Sequence, residues 1–594
     1  VRVATLSMSL FFLSDATYDR ISDLAHEVKV ASDGYFLVGV SYGYTFEWGH
    51  PANGHMALGK LLRNPEVDFI AGPPSYKNRE PGGSCAFPTA IDSFALNSKL
   101  FLSEEDFKTP ISGREEPDDF NPVMKTPQAL ETVHWRGLGA ALAHRSGVCW
   151  MDLWGNGWLK THGIWDRGAA AFKALGLRMA AAPTDPDVAV FIDERSLAYL
   201  VDQRAFELLV KNVREAILRS GLSCGFYLIS DLAHREHFPD TKLNIFLNAW
   251  DVRPEVRDAI KNRLQKDGKV LFWLYAAGLF DSGRDAMERI REITGIAIKR
   301  QPFASRSGTT LVHRKHPLCE ALPESALANG SALEPSYFAI PEEGMVLAEY
   351  TATGLPSFVL RRFTEEEGQG AWSSVFLGEP VVTPAFFRAL GQLAGCHVWG
   401  YQEDVIHIQA PFLTVHCRGT GNRTIALPDK FRAYNLQTGE WMPGDGTQVR
   451  FQATDGSTHT FLVGLQTEIE ALLKRDPSDI LRVETVPDRP ENTLRLDELM
   501  FDVPMMKLDD WVEESWSEEI ADDLIFRPSQ LDELESFDTG EPSEGSSSPR
   551  NQDGGRRRGR RRRRREGGNE RPERGSTSSD FDISEMNVVF RKRE

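Results

Sequence analysis

Four short, almost wholly apolar segments in the first third of the chain constrain its fold more than any other feature. They are FLVGVSY at 36–42, VDFIAGP at 67–73, KLFLSEED at 99–106 and GVCWMDL at 147–153. A strand that is apolar at every position must be covered on both faces, which is the environment of a parallel sheet flanked by helices. Between them lie stretches with helical spacing at 18–30, 54–63 and 126–144. Strands alternating with helices of this length read as β/α units. An eight-stranded β/α barrel takes about 250 residues, so residues 1–182 supply strands for half of one. The expectation is the C-terminal half of a (β/α)8 barrel, entered midway.

After Pro183 a second α/β unit opens with VAVFID at 188–193 and continues through CGFYLISDL, LNIFLNA and KVLFWLYAAG, with helices expected at 202–219 and 253–266. This is the pattern of a doubly wound sheet, extending through SFVLRR and SSVFLGE to a helix at 386–394 and giving a domain of 187–395. From 396 to 465 the period falls to short alternating strands between turn residues, predicting a small antiparallel, sandwich-like β domain. Residues 466–594 keep no core periodicity beyond one short helix at 467–474 and read as a disordered tail.

Composition matters mainly through its distribution. Of 594 residues, 86 are acidic and 68 basic, a net charge of −18, but residues 497–544 alone hold 17 acidic and 2 basic residues. The acidity belongs to the tail, where it is followed by nine arginines in the ten residues Arg556–Arg565. Such a block binds polyanions, RNA included, by counterion release; equally, it is a solvated, solubilising tail, or one neutralised by the acidic block before it. Six cysteines without a C-x-x-C pair give neither a disulfide framework nor a metal site, and no cofactor motif is present. No run approaches the twenty apolar residues of a membrane span. The chain opens on Val1 without a signal-peptide pattern, so the natural N-terminus is expected upstream and localisation is left open.

The chemistry-bearing residues gather at strand ends. The third segment delivers Glu104, Glu105 and Asp106 at its carboxyl end, which in a β/α barrel is the catalytic face. Alternation sends Glu104 and Asp106 to one side and Glu105 to the other. A carboxylate there could be the nucleophile of a retaining glycosidase, which needs a second carboxyl about 5 Å away; the same acids would also suit a solvated loop. PPSYKNREPGG after the second strand offers Tyr76 and Arg79, and WMDLWGNGW after the fourth offers Trp150, Asp152, Trp154 and Trp158. Aromatic faces with carboxylates form a carbohydrate cleft, although tryptophans also close cores. Tyr42 and Tyr44 end the first strand, where packing and ligand contact are equally open.

The runs GVSYGYTFEWGHPANGHMALGKLL, VDFIAGPPSYKNREPGG, KLFLSEEDFKT and GVCWMDLWGNGWL together resemble the second half of the catalytic barrel in beta-galactosidase-like glycoside hydrolases of the family 42 type, and 187–395 is similar to their trimerisation domain, a degenerate relative of class I glutamine amidotransferases. The resemblance covers about residues 1–465. It implies a retaining β-glycosidase acting on terminal β-linked sugars, with Glu104 as nucleophile and Glu105 as second choice. Tyr42, Tyr76, Arg79, Asp106, Lys108, Trp150, Asp152, Trp154 and Trp158 would then line the sugar site. It also implies a homotrimer. The acid/base of such enzymes is a Glu on the fourth barrel strand, which has no match here; Glu47 is the one nearby substitute. The corner WLYAAGLF lacks the cysteine that glutamine hydrolysis needs. The alternative is a non-catalytic carbohydrate-binding or scaffold protein.

Overall fold

The computed structural model describes residues 2–475 apart from 48–52, 113–120, 154, 156, 161–162, 201–202, 302–307, 324–332, 341–343, 366–369 and 445. The charged tail, including Arg556–Arg565, and Trp154 lie outside the described residues.

The first layer runs α1 (Arg2–Ala31), β1 (Gly39–Ser41), α2 (Leu58–Leu62), β2 (Phe69–Gly72), α3 (Ile91–Leu96), β3 (Leu100–Glu105), α4 (Pro127–His144), β4 (Gly147–Trp150) and α5 (Ile164–Ala180). Its four strands pair in chain order, all parallel, with Gly39 beside Phe69 and Phe69 beside Leu100. Val40, Ile70 and Phe101 point to the helices and are buried with Leu58, Leu61 and Phe94. On the other face Leu102 and Glu104 are half-buried, and Leu100 is 44% exposed. The observed strands are shorter than the apolar segments that announced them: Phe36, Val67 and Asp106 at the segment ends are buried outside the strands, whereas Leu37 and Leu153 are exposed.

The second layer is an eight-stranded mixed sheet. Its parallel part is built from β5 (Val188–Ile192), β6 (Cys224–Leu228), β7 (Leu243–Phe246), β8 (Val270–Leu274) and Trp372–Leu377, in the spatial order β6, β5, β7, β8, Trp372–Leu377. Pro356–Phe363, Met345–Tyr350 and Thr309–Leu311 extend it antiparallel. The order reverses direction from β5, as in a doubly wound sheet. The helix expected at 202–219 is divided by a five-residue π turn, Glu207–Lys211, from which Lys211 reaches Glu207 at 3.1 Å and Glu47 at 3.8 Å.

The two layers meet at β6, whose outer edge would otherwise leave unpaired amides. Asp92 and Ser93 of α3 satisfy them, accepting from the N–H groups of Phe226 and Leu228 at 2.8 Å each. The Gly59 N–H donates to both carboxylate oxygens of Glu194, at 3.1 and 3.2 Å. Burial pushes Glu194 up to about 7.

The third part is a five-stranded antiparallel sheet (Val405–Gln409, Phe412–His416, Thr458–Leu465, Phe431–Asn435, Glu440–Trp441) with a separate pair, Gly421–Ala426 and Gln448–Ala453. It packs on α4, where Thr132 donates to the Gly456 carbonyl at 2.6 Å. A buried polar chain joins all three parts. His144 Nδ1 donates to Asp92 at 2.9 Å, His144 Nε2 lies 3.1 Å from His407 Nδ1, and Gln409 donates to Asp92 at 2.7 Å.

Candidate functional site

Strand β3 alternates as its sequence predicts. Glu105 faces the helices, 2% exposed, and accepts from Ser103 at 2.7 Å. Glu104 faces the opposite side, in register with Cys149 of β4. Burial first, and the neighbouring Asp106 carboxylate second, push Glu104 up to about 7. Both causes disfavour the charged form.

Asp106 continues the Glu104 side of the strand but is 1% exposed. Its Oδ1 accepts from Arg79 at 2.5 Å, and its Oδ2 from the Tyr76 hydroxyl at 2.9 Å and from Asn121 at 3.4 Å. Asn121 also donates to the Asp106 carbonyl at 2.9 Å and accepts from Arg79 at 2.6 Å. The Arg79 guanidinium lies 4.1 Å from the Tyr76 ring and 5.0 Å from that of Phe107.

The loop that carries Tyr76 and Arg79 is held from α4. Arg136, buried, donates to the carbonyls of Arg79, Glu80 and Gly83 at 2.8 to 2.9 Å. Gly72, at the end of β2, leaves room for Tyr44, whose ring would meet a Cβ there at 2.5 Å. Burial, then the Glu104 charge, raises the Tyr44 hydroxyl above its ordinary range, so Tyr44 borders the same carboxylate.

The remaining expected residues separate into two groups. Tyr42 is 1% exposed, donates to the Gly54 carbonyl at 2.8 Å and accepts from the Ala57 N–H, so it braces the loop after β1 from within the core. Trp158 is likewise 1% exposed, with its carbonyl bound by Thr109 at 2.8 Å. Asp152 caps the turn below it, accepting from the N–H groups of Gly157 and Trp158. Trp150 is half-buried and stacks on His134 with ring centroids 4.7 Å apart. Burial pushes that imidazole down to about 3. Lys108 is half-buried on the loop after β3, its carbonyl accepting from Met124 at 2.9 Å. Thus Tyr76, Arg79 and Asp106 come together just beyond the end of β3, two residues after Glu104, while Tyr42, Asp152 and Trp158 are built into the walls.

Glu47 is engaged: its Oε1 accepts from the Tyr76 N–H at 3.3 Å, with Lys211 and Arg214 each at 3.8 Å. Sequence reasoning missed Asn121 and Arg136. The first stands in a loop without a motif, and the second is one basic residue on a helix otherwise rich in apolar residues; the spacing of neither announces a role.

No group of His, Cys, Asp or Glu that could hold a metal occurs among the described residues. No disulfide joins the six cysteines among the described residues, and the corner after β8 carries no thiol. That corner is left-handed at Tyr275, with φ 64°, and the Tyr275 hydroxyl donates to the Pro335 carbonyl at 2.5 Å. No helix among the described residues is long and apolar enough to cross a membrane.

No protein-family model matches this chain, and no curated protein matches it in sequence. Solved structures do. A polyextremophilic beta-galactosidase from the Antarctic haloarchaeon Halorubrum lacusprofundi superposes with a TM-score of 0.51 over 78% of this chain and 69% of its own, at 13% identity. The fold resembles that of a beta-galactosidase. A catalytic mutant of a GH42 beta-galactosidase from G. stearothermophilus gives a TM-score of 0.48 at 12% identity, over 68% of this chain and 61% of that one. The beta-galactosidase from the psychrophilic Marinomonas ef1 gives 0.41 at 10% identity, over 70% and 68%. This chain therefore spans about three-fifths of the length of the G. stearothermophilus enzyme.

Proposed function

We propose that this chain carries part of a retaining β-glycosidase of the beta-galactosidase kind, acting on terminal β-linked sugars, with Glu104 as the nucleophile. In this reading the first layer is half of a β/α barrel and the eight-stranded domain serves assembly. The observation that carries it is Glu104 itself, a half-buried carboxylate on the face of β3 opposite the helices, at the carboxyl end of the strand. Barrel enzymes place their reacting groups at that end. Tyr44 borders it, with Trp150 one strand away.

Nucleophilic attack by Glu104 on the anomeric carbon would form a glycosyl ester while a second carboxyl protonates the leaving oxygen. Among the described residues neither neighbouring acid is disposed to do this, since Asp106 is saturated by Arg79, Tyr76 and Asn121 and Glu47 lies against Lys211 and Arg214. On this reading none of the described residues is assigned as the proton donor. The same observation favours a second reading, a carbohydrate-binding scaffold that keeps the cleft without the chemistry.

The test uses the complete gene product and its Glu104→Ala variant on a panel of aryl β-glycosides. A dead variant whose turnover is restored by azide, with an α-glycosyl azide as product, supports the nucleophile. A protein that binds sugars and hydrolyses none of the panel overturns the enzymatic reading in favour of the scaffold.

A further inference from the structure

A doubly wound sheet ordinarily takes its ligand at the carboxyl ends of the strands where the order reverses. In this sheet those ends, after β5 and β7, are bonded to each other. The Asn248 side chain accepts from the Asp193 N–H at 2.7 Å and donates to the Asp193 carbonyl at 2.8 Å, and the Ser196 hydroxyl accepts from the N–H groups of Trp250 and Asp251 at 3.1 and 2.9 Å. The space lies at the other end. At the amino ends of β5, β7 and β8 a cavity of about 860 Å³ has Asp92 of the first layer and Gln409 of the β domain in its wall. Small-molecule sites have volumes of about 300–1,000 Å³.

Two buried polar groups of that wall lack partners. Tyr227 is 3% exposed, and its ring lies back over Gly225 toward the amino end of β6, where a Cβ would meet the hydroxyl at 2.6 Å. Buried tyrosine hydroxyls usually find a hydrogen-bond partner, yet this one has none among the described residues. Gln409, 5% exposed, gives its Nε2 to the Asp92 carboxylate at 2.7 Å, which fixes the orientation of the amide and leaves Oε1 without a donor among the described residues. The half-buried Phe238 ring, 4.9 Å from that of Tyr227, adds an apolar wall. The surrounding charges cancel. Lys269 is bound by Asp240, Asp92 by His144 and Gln409, and Lys266 lies 4.0 Å from Asp267, which leaves Arg145 and Arg263 against Asp185 and Glu236. Such a wall has little net field to hold an ion, whereas a hydroxyl both donates to carboxylates and accepts from guanidinium groups.

We propose that this cavity binds a neutral, hydroxyl-rich ligand, a short saccharide, with its hydroxyls on Tyr227 and Gln409 and the C–H face of a ring against Phe238. The site shares no residue with the surroundings of Glu104. It stands whether or not Glu104 is a nucleophile.

The experiment is a calorimetric titration of the full chain, carrying Glu104→Gln so that no probe is turned over. The probes are four neutral saccharides, methyl β-galactoside, lactose, xylobiose and maltose, and two charged sugars, galacturonate and glucosamine. A neutral saccharide should bind, and Tyr227→Phe, which removes one oxygen atom, should weaken it about three- to tenfold, the effect of one hydrogen bond. Arg263→Ala, a change at a half-buried position of the wall, should weaken it by a similar factor. A saccharide held beside Glu104 would sense neither substitution. Affinity unchanged in Tyr227→Phe, or no binding across the neutral panel, overturns the proposal. So does a charged sugar held about tenfold tighter than every neutral one, which would mark an ion site. Should Tyr227→Phe fail to fold, unchanged affinity in Arg263→Ala overturns it equally. A protein that loses affinity in Tyr227→Phe but, with Glu104 intact, hydrolyses no glycoside keeps this inference and loses the nucleophile assignment.

Discussion

Arg79 and Asp106 form a pair whose members fail differently when separated. Replacing Arg79 by methionine leaves a carboxylate buried with only Tyr76 and Asn121 as donors, and loss of one partner of a buried pair costs about 3–5 kcal/mol. Urea unfolding of Arg79→Met should show that loss, and adding Asp106→Leu should recover most of it; an Arg79→Met variant as stable as the parent would show that the pair is not buried in solution. At the same scale, the protonation of Glu104 gives the kinetics a direction. A nucleophile must be ionised, so kcat/KM should rise with pH through about 7, the value to which burial and Asp106 push Glu104. A limb that falls through the same pH would assign Glu104 to proton donation instead. The alternation separating Glu104 from Glu105 was legible because a strand has only two faces. Asn121 was not legible, because its function depends on where a distant loop places Arg79.

Among the elements, α4 carries the most contacts of different kinds, and two glycines make its position possible. A Cβ on Gly137 would lie 2.4 Å from the Glu105 carboxylate, and one on Gly139 would lie 2.2 Å from the Thr414 hydroxyl. In an exposed helix interior, alanine for glycine would stabilise by about 1 kcal/mol. Here overpacking should reverse the sign, giving a loss of roughly 1–3 kcal/mol for Gly139→Ala, read from the thermal midpoint. A gain in stability would mean that the β domain does not sit on this helix in solution. The strands were found from sequence because apolar runs bounded by turn residues have few other readings. Helix α5 was not, since Gly168 and Gly176 interrupt its apolar stripe, and α3 is only six residues long. Helix α1 begins well before the expected Tyr18.

For the molecule as a whole, buried groups of opposite kinds should shape the pH dependence of stability. Burial lowers His134, His407 and His416 below the ordinary histidine value, so the unfolded chain binds more protons there and stability falls as pH drops below about 6.5. Burial raises Glu104, Glu194 and Asp193, to about 7, 7 and 6, so the folded chain binds more protons and stability falls as pH rises above about 4.5. Between those limits the contributions oppose each other. Below about 4.5 the histidines continue, each at up to about 1.4 kcal/mol per pH unit, and Glu207 and Asp281, which their Lys and Arg partners hold below the usual carboxylate range against the effect of burial, add to the loss. Urea midpoints should therefore change little from pH 6.5 to 4.5 and drop steeply below, and His407→Gln should soften the drop. A steady decline from neutrality would show that the acids are not buried as described.

The Asp92 carboxylate divides its lone pairs among His144 in its own layer, the Phe226 amide of the eight-stranded sheet and Gln409 of the β domain. A single side chain at that junction ties the inheritance of three domains together. A gene fusion or exchange that replaced any one of them would strand partners in the other two, so these parts can be expected to have travelled through evolution as a set.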